Sequence, residues 1–515
     1  MRLRNMPMRL MLKPFTGTAH SNRAGQGRFH VCLLATAFCL LLFSSSCRVG
    51  PQYKRPAAPV PPTYKELPPD TSPQVSAWKE AQPSDAIARG KWWEIYNDPE
   101  LNSLEEQVSI SNQNVLAAEA QYREARDAVR IVRSSLFPSV TAGASINNSR
   151  TPASPTGSPN AVTRTTYDLP VSLSYVADIW GGIRRSVAAS TATAQITAAQ
   201  LENARLAYQA ELAQAYFGLH GTDGAVELLE RTVKSYEEYL QLTQDRFNSG
   251  VASGADVAQA QTQLATARAQ LIDYGVARAQ YEHAIAILIG KPPAALSIPS
   301  QAIKITPPPV PVGVPSALLE RRPDIAAAER QMAAANEQIG IAKVAYYPTL
   351  SLTASAGLES SQFLKWFSWP SRFWSVGPQL AETVFDAGRR RAQVAQAQAA
   401  FDATVADYRQ TVLAAFQQVE DSLAALRVLE NEARAEDEAV NAAQNSLDIS
   451  TYQYKAGVTS YLQVITAQTI ALQNQLAAVN ILTRRMSASV LLIEALGGGW
   501  NASKLPTTND LLSAN

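Results

Sequence analysis

The chain has 515 residues, a formal net charge of +1 and 17% charged residues. That length is ample for a large fold, and the balanced, dispersed charge gives no sign of nucleic acid as a partner. Beyond the N-terminus no run of about 18 apolar residues occurs, so no transmembrane helix is expected in the mature chain. The N-terminus itself carries Arg2, Arg4, Arg9, Lys13, Arg23 and Arg28, then the apolar run Val31 to Phe43, then Ser44, Ser45 and Ser46. That order is a secretory signal peptide over residues 1–46, which takes no part in the fold.

Of the three cysteines, Cys32 and Cys39 lie inside the apolar run and leave with it. The mature chain is then expected to hold no disulfide, although it lives in an oxidising compartment. Cys47 stands at the cleavage point, ahead of a tether containing Pro51, Pro56, Pro59, Pro61 and Pro62. The arrangement resembles a bacterial lipoprotein lipobox, with Ser44 where the usual pattern has Leu. The resemblance implies an N-terminal lipid modification at Cys47. Several acyl chains of the palmitate type, at about 0.8 kcal/mol per buried CH₂, would hold the tether to a membrane. Arg48 rather than Asp follows the cysteine, which in lipoproteins suits delivery to the outer membrane. An ordinary signal peptide with an unmodified cysteine is the alternative.

Leu101 to Ser135 reads as a short helix, and two stretches alternating at a period of two follow it. In residues 137–149 the apolar set is Val140, Ala142, Ala144 and Ile146. In residues 165–178, Tyr167, Leu169, Val171, Leu173 and Tyr175 share one face, and Asp168, Pro170, Ser172 and Ser174 the other. Each run is about ten residues, enough for a tilted strand to cross a bilayer with one face toward lipid and one toward water. Gly182 to Asn248 then reads as a single helix of roughly 70 residues, about 100 Å long. A glycine break at Gly250 and a shorter helix, Ala255 to Ile289, complete the first half. The Pro-rich link from Pro292 to Pro315, with Ile298, Ile303 and Ile305, predicts a short strand or an extended packing segment.

The second half repeats the first at an offset of about 205 to 210 residues. Phe137-Pro138-Ser139-Val140 falls on Tyr347-Pro348-Thr349-Leu350, and Trp180 to Arg185 on Phe385 to Arg390. Phe247-Asn248-Ser249-Gly250-Val251 falls on Tyr454-Lys455-Ala456-Gly457-Val458, and Leu288-Ile289-Gly290 on Ala495-Leu496-Gly497. The repeated strands are expected at residues 348–358 (Leu350, Leu352, Ala354, Ala356, Leu358) and 372–384 (Trp374, Val376, Leu380). Trp366, Phe367, Trp369, Phe373 and Trp374 make a cluster suited to a membrane headgroup belt, with a buried aromatic core as the alternative. Asp178 and Asp386 are predicted helix N-caps. Arg184, Arg185, Arg389, Arg390 and Arg391 follow against the helix dipole, serving either the membrane boundary or a solvated surface. Both strand pairs sit at one end of a long helix and both glycine breaks at the other, so two short helices laid end to end can match one long one. An alanine stripe, Ala392, Ala395, Ala399, Ala403 and Ala406, lets neighbouring helices approach closely. The expected fold class is mainly α with a transmembrane β-segment, a tube wall built from two internal repeats.

Four strands cannot close, and an open edge in hydrocarbon leaves unpaired N–H and C=O groups at several kcal/mol each. Two copies give eight strands, a barrel filled by its own side chains; three give twelve and leave a water-lined lumen. A homotrimer is therefore expected.

With these features, the chain resembles the TolC-like outer-membrane factors, and within them the lipidated NodT-type branch. The residues that carry the likeness are Cys47 with Val49-Gly50-Pro51-Gln52-Tyr53-Lys54-Arg55-Pro56, Trp92-Trp93, Asn97-Asp98-Pro99-Glu100-Leu101, Arg321-Arg322-Pro323-Asp324-Ile325, and the paired Gly250-Val251 and Gly457-Val458 turns. The resemblance implies a trimeric export duct in the bacterial outer membrane, with a twelve-stranded β-barrel continued by a long periplasmic α-helical barrel. It implies as partners a periplasmic membrane-fusion adaptor and an inner-membrane pump of the RND type, within a tripartite efflux system of the multidrug-resistance kind. The divisions expected on this reading are a tether and equatorial segment over 47–100, repeats over 101–290 and 323–498, an equatorial linker over 291–322 and a tail over 499–515.

The sequence offers no phosphate-binding glycine loop, nucleophile turn or zinc-binding helix motif, so no enzyme, no cofactor and no metal are expected. His220 and His283, which remain after signal removal, read as solvent or packing residues. A glycine at a helix reversal adopts αL and presents backbone to another protein, or simply caps its helix. By the resemblance, Gly250, Val251, Ser253, Gly457, Val458 and Ser460 are the adaptor contacts, and Asp256, Tyr454, Gln463 and Thr466 form the periplasmic gate. There an Asp256 carboxylate to Tyr454 hydroxyl link resembles a closed-state lock, while a first-turn carboxylate serving the helix dipole is the other reading of Asp256. Gln463 and Thr466 stand where several family members carry aspartates, so weak block by multivalent cations is expected. A structural outer-membrane lipoprotein scaffold, or the exit duct of a type I protein secretion system, are the alternative functions.

Overall fold

The computed structural model describes residues 48–67, 90–153, 160–310, 312 and 315–513. The expected signal peptide, Cys47 and its modification, part of the tether and the middle of the first strand-pair tip lie outside these residues. In chain order the elements are α1 (Pro99–Ser111), α2 (Gln113–Ser134), β1 (Ser139–Ala142), β2 (Ser145–Thr151), β3 (Val162–Ala177), α3 (Gly182–Asn248), α4 (Gly254–Leu288), α5 (Leu318–Arg321), α6 (Pro323–Val344), β4 (Thr349–Ser360), β5 (Arg372–Ala381), α7 (Arg389–Lys455), α8 (Tyr461–Ala495) and α9 (Thr508–Ser513).

The long helices α3 and α7 each have 67 residues, α4 and α8 each 35, and α2 and α6 each 22. At about 1.5 Å per residue the long ones run about 100 Å. The short helix expected from Leu101 to Ser135 is two helices. Asn112 breaks it with an extended ψ of 122°, its Oδ1 accepting from the N–H groups of Asn114 and Val115 while its Nδ2 donates to the Leu288 carbonyl. The preference of asparagine for this competing backbone bond explains the break. Four helices end in the same way. At α3, Val251 N–H donates to Arg246 O at 2.8 Å and Gly250 N–H to Phe247 O at 2.9 Å, with φ +76° at Gly250. Gly290, Gly457 and Gly497 close α4, α7 and α8 by the same pair of bonds, all at positive φ. Glycine is required because a Cβ is penalised there.

The strands form one antiparallel sheet in the order β1/β2, β3, β4, β5. Its register puts the apolar sets on one face. Val140 pairs with Leu173, Leu173 with Ala354 and Ala354 with Val376; Ala142, Val171, Ala356 and Trp374 form the next row. Between them runs the polar row Thr141, Ser172, Ser355 and Ser375. Directly paired residues share a face, so the alternation read in each strand adds up across all of them. The strand expected at 137–149 is observed as β1 and β2, in unbroken register across a gap. Opposite the gap is Pro170, which has no N–H to donate, so the ladder loses a bond there. Pro170 faces Gly357 on its other side, where a Cβ would lie 2.2 Å from Leu169 O. The strand expected at 372–384 ends at Ala381, and Val384 and Phe385 are exposed.

The main core lies beside the helices rather than in the sheet. Trp92, Trp93 and Tyr96 pack with Leu101, Leu212, Phe217, Ile285, Met332, Val412 and Ile493. Asp98 caps α1 through Oδ1, to the N–H groups of Glu100 and Leu101, and accepts the Tyr216 hydroxyl on Oδ2 at 2.8 Å. After a 3-10 turn at Pro293–Ala295 the link continues without helix or strand, with Ile298 buried, and among its described residues the short strand considered for it does not form. His220 holds this link: its Nδ1 donates to Gln301 O at 2.6 Å, while Asp223 accepts Gln301 N–H and the Arg278 guanidinium. Burial pushes the Asp223 carboxyl up, but the hydrogen bonds from His220, Gln301, Arg278 and Ser300 outweigh it and hold it below the usual carboxylate range.

Candidate functional site at the paired helix turns

The two glycine turns, Gly250-Val251 after α3 and Gly457-Val458 after α7, lie side by side at the end of the helical body away from the sheet. Val251 is 66% and Val458 74% exposed, so each turn presents an apolar side chain outward. Gly250, Ser253, Gly457 and Ser460 are exposed as well. Beneath them Ala260, Tyr454, Tyr461 and Val464 form a small core with Tyr239, Leu240 and Leu447 packed against it. Burial, with neighbouring phenols and Asp256 adding to it, raises the Tyr461 hydroxyl well above its ordinary value, so it keeps its proton.

The turns differ in how the following helix starts. Ser253 and Asp256 form a reciprocal capping box: Asp256 N–H donates to Ser253 Oγ, and Ser253 N–H and Oγ both donate to Asp256 Oδ2 at 2.9 Å. Ser460 makes no such side-chain cap, and Gln463 and Thr466 are exposed, Thr466 donating back to Leu462 O. The expected Asp256 to Tyr454 link is not formed within the chain. The Tyr454 hydroxyl is buried against Thr243 Oγ1 at 3.4 Å, and the carboxylate serves its own helix end. Of the two readings of Asp256, the local first-turn role is the one observed in a single protomer.

What joins the two turns instead is a residue the sequence did not single out. Arg246, in the last turn of α3, donates from Nη1 to the Tyr454 carbonyl at 2.8 Å, with its guanidinium carbon 4.6 Å from the centroid of the Tyr454 ring. Tyr239 to Thr451 at 3.0 Å and Gln263 to Thr469 at 3.0 Å tie the same two hairpins further up. A groove of about 560 Å³ opens between α3, α7 and α8, lined by Tyr236, Gln444, Gln468 and Gln475 among others. Gln468 is 3% exposed, and neither amide atom has a hydrogen-bond partner among the described residues. Sequence pattern alone carries no signal for these cross-helix pairs, because their partners are more than 200 residues apart.

At the opposite end, the junction of sheet and helices is built from matched parts. Asp178 and Asp386 are not the N-cap residues, which are Gly181 and Gly388 in the left-handed region. Each aspartate reaches forward instead, accepting from the N–H of Arg184 or Arg390 and pairing with that residue's guanidinium. The aspartates thus offset the unfavourable placing of arginine at a helix start. Arg185 is buried and pairs with Glu337 at 2.7 Å while donating to Pro51 O; Arg48 pairs with the other Glu337 oxygen. Gly50 and Gly340 are in close contact there, a Cβ on Gly50 falling 2.7 Å from the Gly340 α-carbon. Residues 48–51 are thereby clasped to the start of α3 and the last turns of α6, next to the sheet. Trp180 stacks on Tyr347 with centroids 4.7 Å apart and donates to Pro348 O.

Among the described residues no group of three or more metal-ligating side chains exists. A strand sheet at one end and 67-residue helices running to paired turns at the other make the architecture of an outer-membrane efflux channel, a passive duct. A sequence profile described as outer membrane efflux protein matches residues 104–291 and 314–498, and the chain belongs to that family. It is 33% identical over 472 residues to the probable efflux pump outer membrane protein TtgC of Pseudomonas putida, covering 91% of this chain and 95% of that one. It is 31% identical over 473 residues to the outer membrane protein OprJ of Pseudomonas aeruginosa, covering 91% and 96%. The solved outer-membrane channel OprN superposes with a TM-score of 0.81 at 29% identity, over 88% of this chain and 100% of OprN.

Proposed function

We propose that three copies of this chain form the exit duct of a tripartite efflux system. The observation that carries this is the sheet: its apolar rows share one face, its polar rows the other, and its two edges, β1/β2 and β5, have no partner among the described residues. In hydrocarbon those edges must pair, and β5 of one protomer beside β1/β2 of the next completes a closed wall. Three such sheets make a twelve-stranded barrel with serine- and threonine-lined polar rows facing water. The α3/α4 and α7/α8 hairpins of three copies continue it as a helical tube, and the matched helix lengths of the two halves support an internal repeat.

On this reading the tips carrying Val251 and Val458 meet a periplasmic adaptor that links the duct to an inner-membrane pump of the RND type, and the pump selects the substrates. Lipid modification at Cys47 anchors the chain, and the clasp at residues 48–51 takes up the tether. Reconstitution of the full chain in planar bilayers, with the oligomer mass measured in detergent, tests the proposal. Discrete conductance from a trimer is expected. A monomer, or a trimer that passes no current, would overturn it.

A further inference from the structure

A cavity of about 380 Å³ opens beside the middle of α3, between the start of α1 and the link after α4. Tyr96, Tyr216 and Phe217, all buried, make its apolar wall, with the Tyr96 and Phe217 rings 5.0 Å apart and those of Tyr216 and Phe217 5.7 Å apart. Its acidic side comes from the motif Asn97-Asp98-Pro99-Glu100, which the duct leaves without a task. Asn97, left-handed at φ +52°, ends the 3-10 turn Trp92–Tyr96 and turns the chain into α1. Asp98 and Glu100 are half-buried, and neither is paired with a cation among the described residues. Burial, with both carboxylates beside it, raises the Tyr216 hydroxyl far above its ordinary value, so it keeps its proton and donates to Asp98. On the third side stands His220, 5% exposed, whose Nδ1 is engaged by Gln301 O. Its Nε2, the lone-pair nitrogen of that neutral tautomer, has no partner among the described residues. Lys304, at the rim, is exposed and makes no ion pair among the described residues.

We propose that this cavity binds a small organic cation, with an ammonium or amidinium group held by Asp98 and Glu100 and a flat apolar body laid against the aromatic wall. A helix start favours carboxylates whatever faces them. What sets this one apart is the space in front of it, large enough for a small molecule, and the buried, unpartnered acceptor in its wall. The attractions are of one sign: charge-assisted hydrogen bonds to two carboxylates, and aromatic faces that draw positive charge. Binding there needs neither assembly nor conduction.

Benzamidinium is the probe, and benzamide, uncharged and of the same shape, the comparison. Both are titrated by calorimetry into the full-length protein in detergent, with thermal unfolding alongside. Benzamidinium is expected to bind saturably and to raise the unfolding midpoint as its concentration passes Kd. Benzamide should bind about tenfold more weakly or worse, the factor for one lost charge-assisted hydrogen bond. E100Q and D98N should each weaken benzamidinium by about the same factor; asparagine in D98N still caps α1. K304M removes a competing positive charge and should tighten binding. Midpoints without ligand identify any variant that has lost its fold, and the two probes on the parent protein then decide the matter by themselves. No saturable benzamidinium binding at millimolar concentration, or benzamide bound equally well, would overturn the cation site. Affinities unchanged in both carboxylate variants would do the same, as would weaker binding in K304M.

Discussion

The α-carbon of Gly497 faces the carbonyl oxygen of Arg321 so closely that a Cβ built there would lie 2.1 Å from it. Gly290 meets Ser111 O in the same way at 2.2 Å. Both glycines also have positive φ, whereas Gly250, at a similar φ, has nothing within 4 Å of its Cβ position. Gly497→Ala and Gly290→Ala are therefore expected to cost at least about 3 kcal/mol, and Gly250→Ala only about 1 kcal/mol. Thermal or denaturant unfolding in detergent separates them, and equal losses at all three positions would refute backbone crowding as the cause.

Arg185 is 1% exposed at its side chain and Glu337 12%. Arg185→Met leaves Glu337 buried beside the single, half-exposed Arg48, and a loss of about 3 kcal/mol is expected. Replacing Glu337 by Met as well should recover part of that loss. A double variant no better than the single would mean that packing around Gly340, and not the charge, sets the cost.

Glu105 in α1 is fully buried, and neither carboxylate oxygen has a hydrogen-bond partner among the described residues. Burial raises its pKa well above the ordinary range, which favours the protonated form in the fold. The unfolded chain ionises it from about pH 4.3 upward, so this residue lowers stability progressively as pH rises from there to the folded-state pKa. Glu105→Met is expected to stabilise the protein at pH 7.5 and to have much less effect at pH 4. A pH-independent difference in unfolding midpoint would show that the carboxyl is ionised in the fold.

The shared face of the sheet is tested by one charge placed on either side. Val376 lies in an apolar row with Ala354, and Ser375 in a polar row with Ser355. Lysine at 376 should cost about 2 to 4 kcal/mol if the site is at mid-membrane, and deplete the protein from the outer membrane. Lysine at 375 should leave insertion intact and shift the channel toward anion selectivity. Depletion by S375K, with V376K tolerated, would reverse the assignment of the two faces.

Gln463 and Thr466 are exposed in the first turns of α8. With no carboxylate at either position, the parent should be weakly blocked by multivalent cations. The double variant Q463D/T466D should become strongly blocked. Strong block of the parent that Gln463 substitutions abolish would contradict this reading.

Much of the architecture was legible because period-two alternation and long alanine-rich helical runs are local signals, set by which side chains each backbone conformation presents to apolar surroundings. The glycine turns were legible for the same reason, since only glycine tolerates αL without penalty and each stands at the end of a helical run. The split at Asn112 was not, because nothing near it in the chain announces that its amide will reach Leu288. The gap between β1 and β2 was hidden in the same way: its cause, Pro170, is on the neighbouring strand. At the turns, sequence placed Asp256 and Tyr454 at the right end of the molecule, but the choice of partners belonged to tertiary contacts. Ser253, three residues away, captured the carboxylate, and Arg246 reached Tyr454 across 208 positions. Spacing along one chain determines what is near in the same helix or strand; which charge faces which carbonyl across two helices depends on packing, and packing is decided only when the whole wall is assembled.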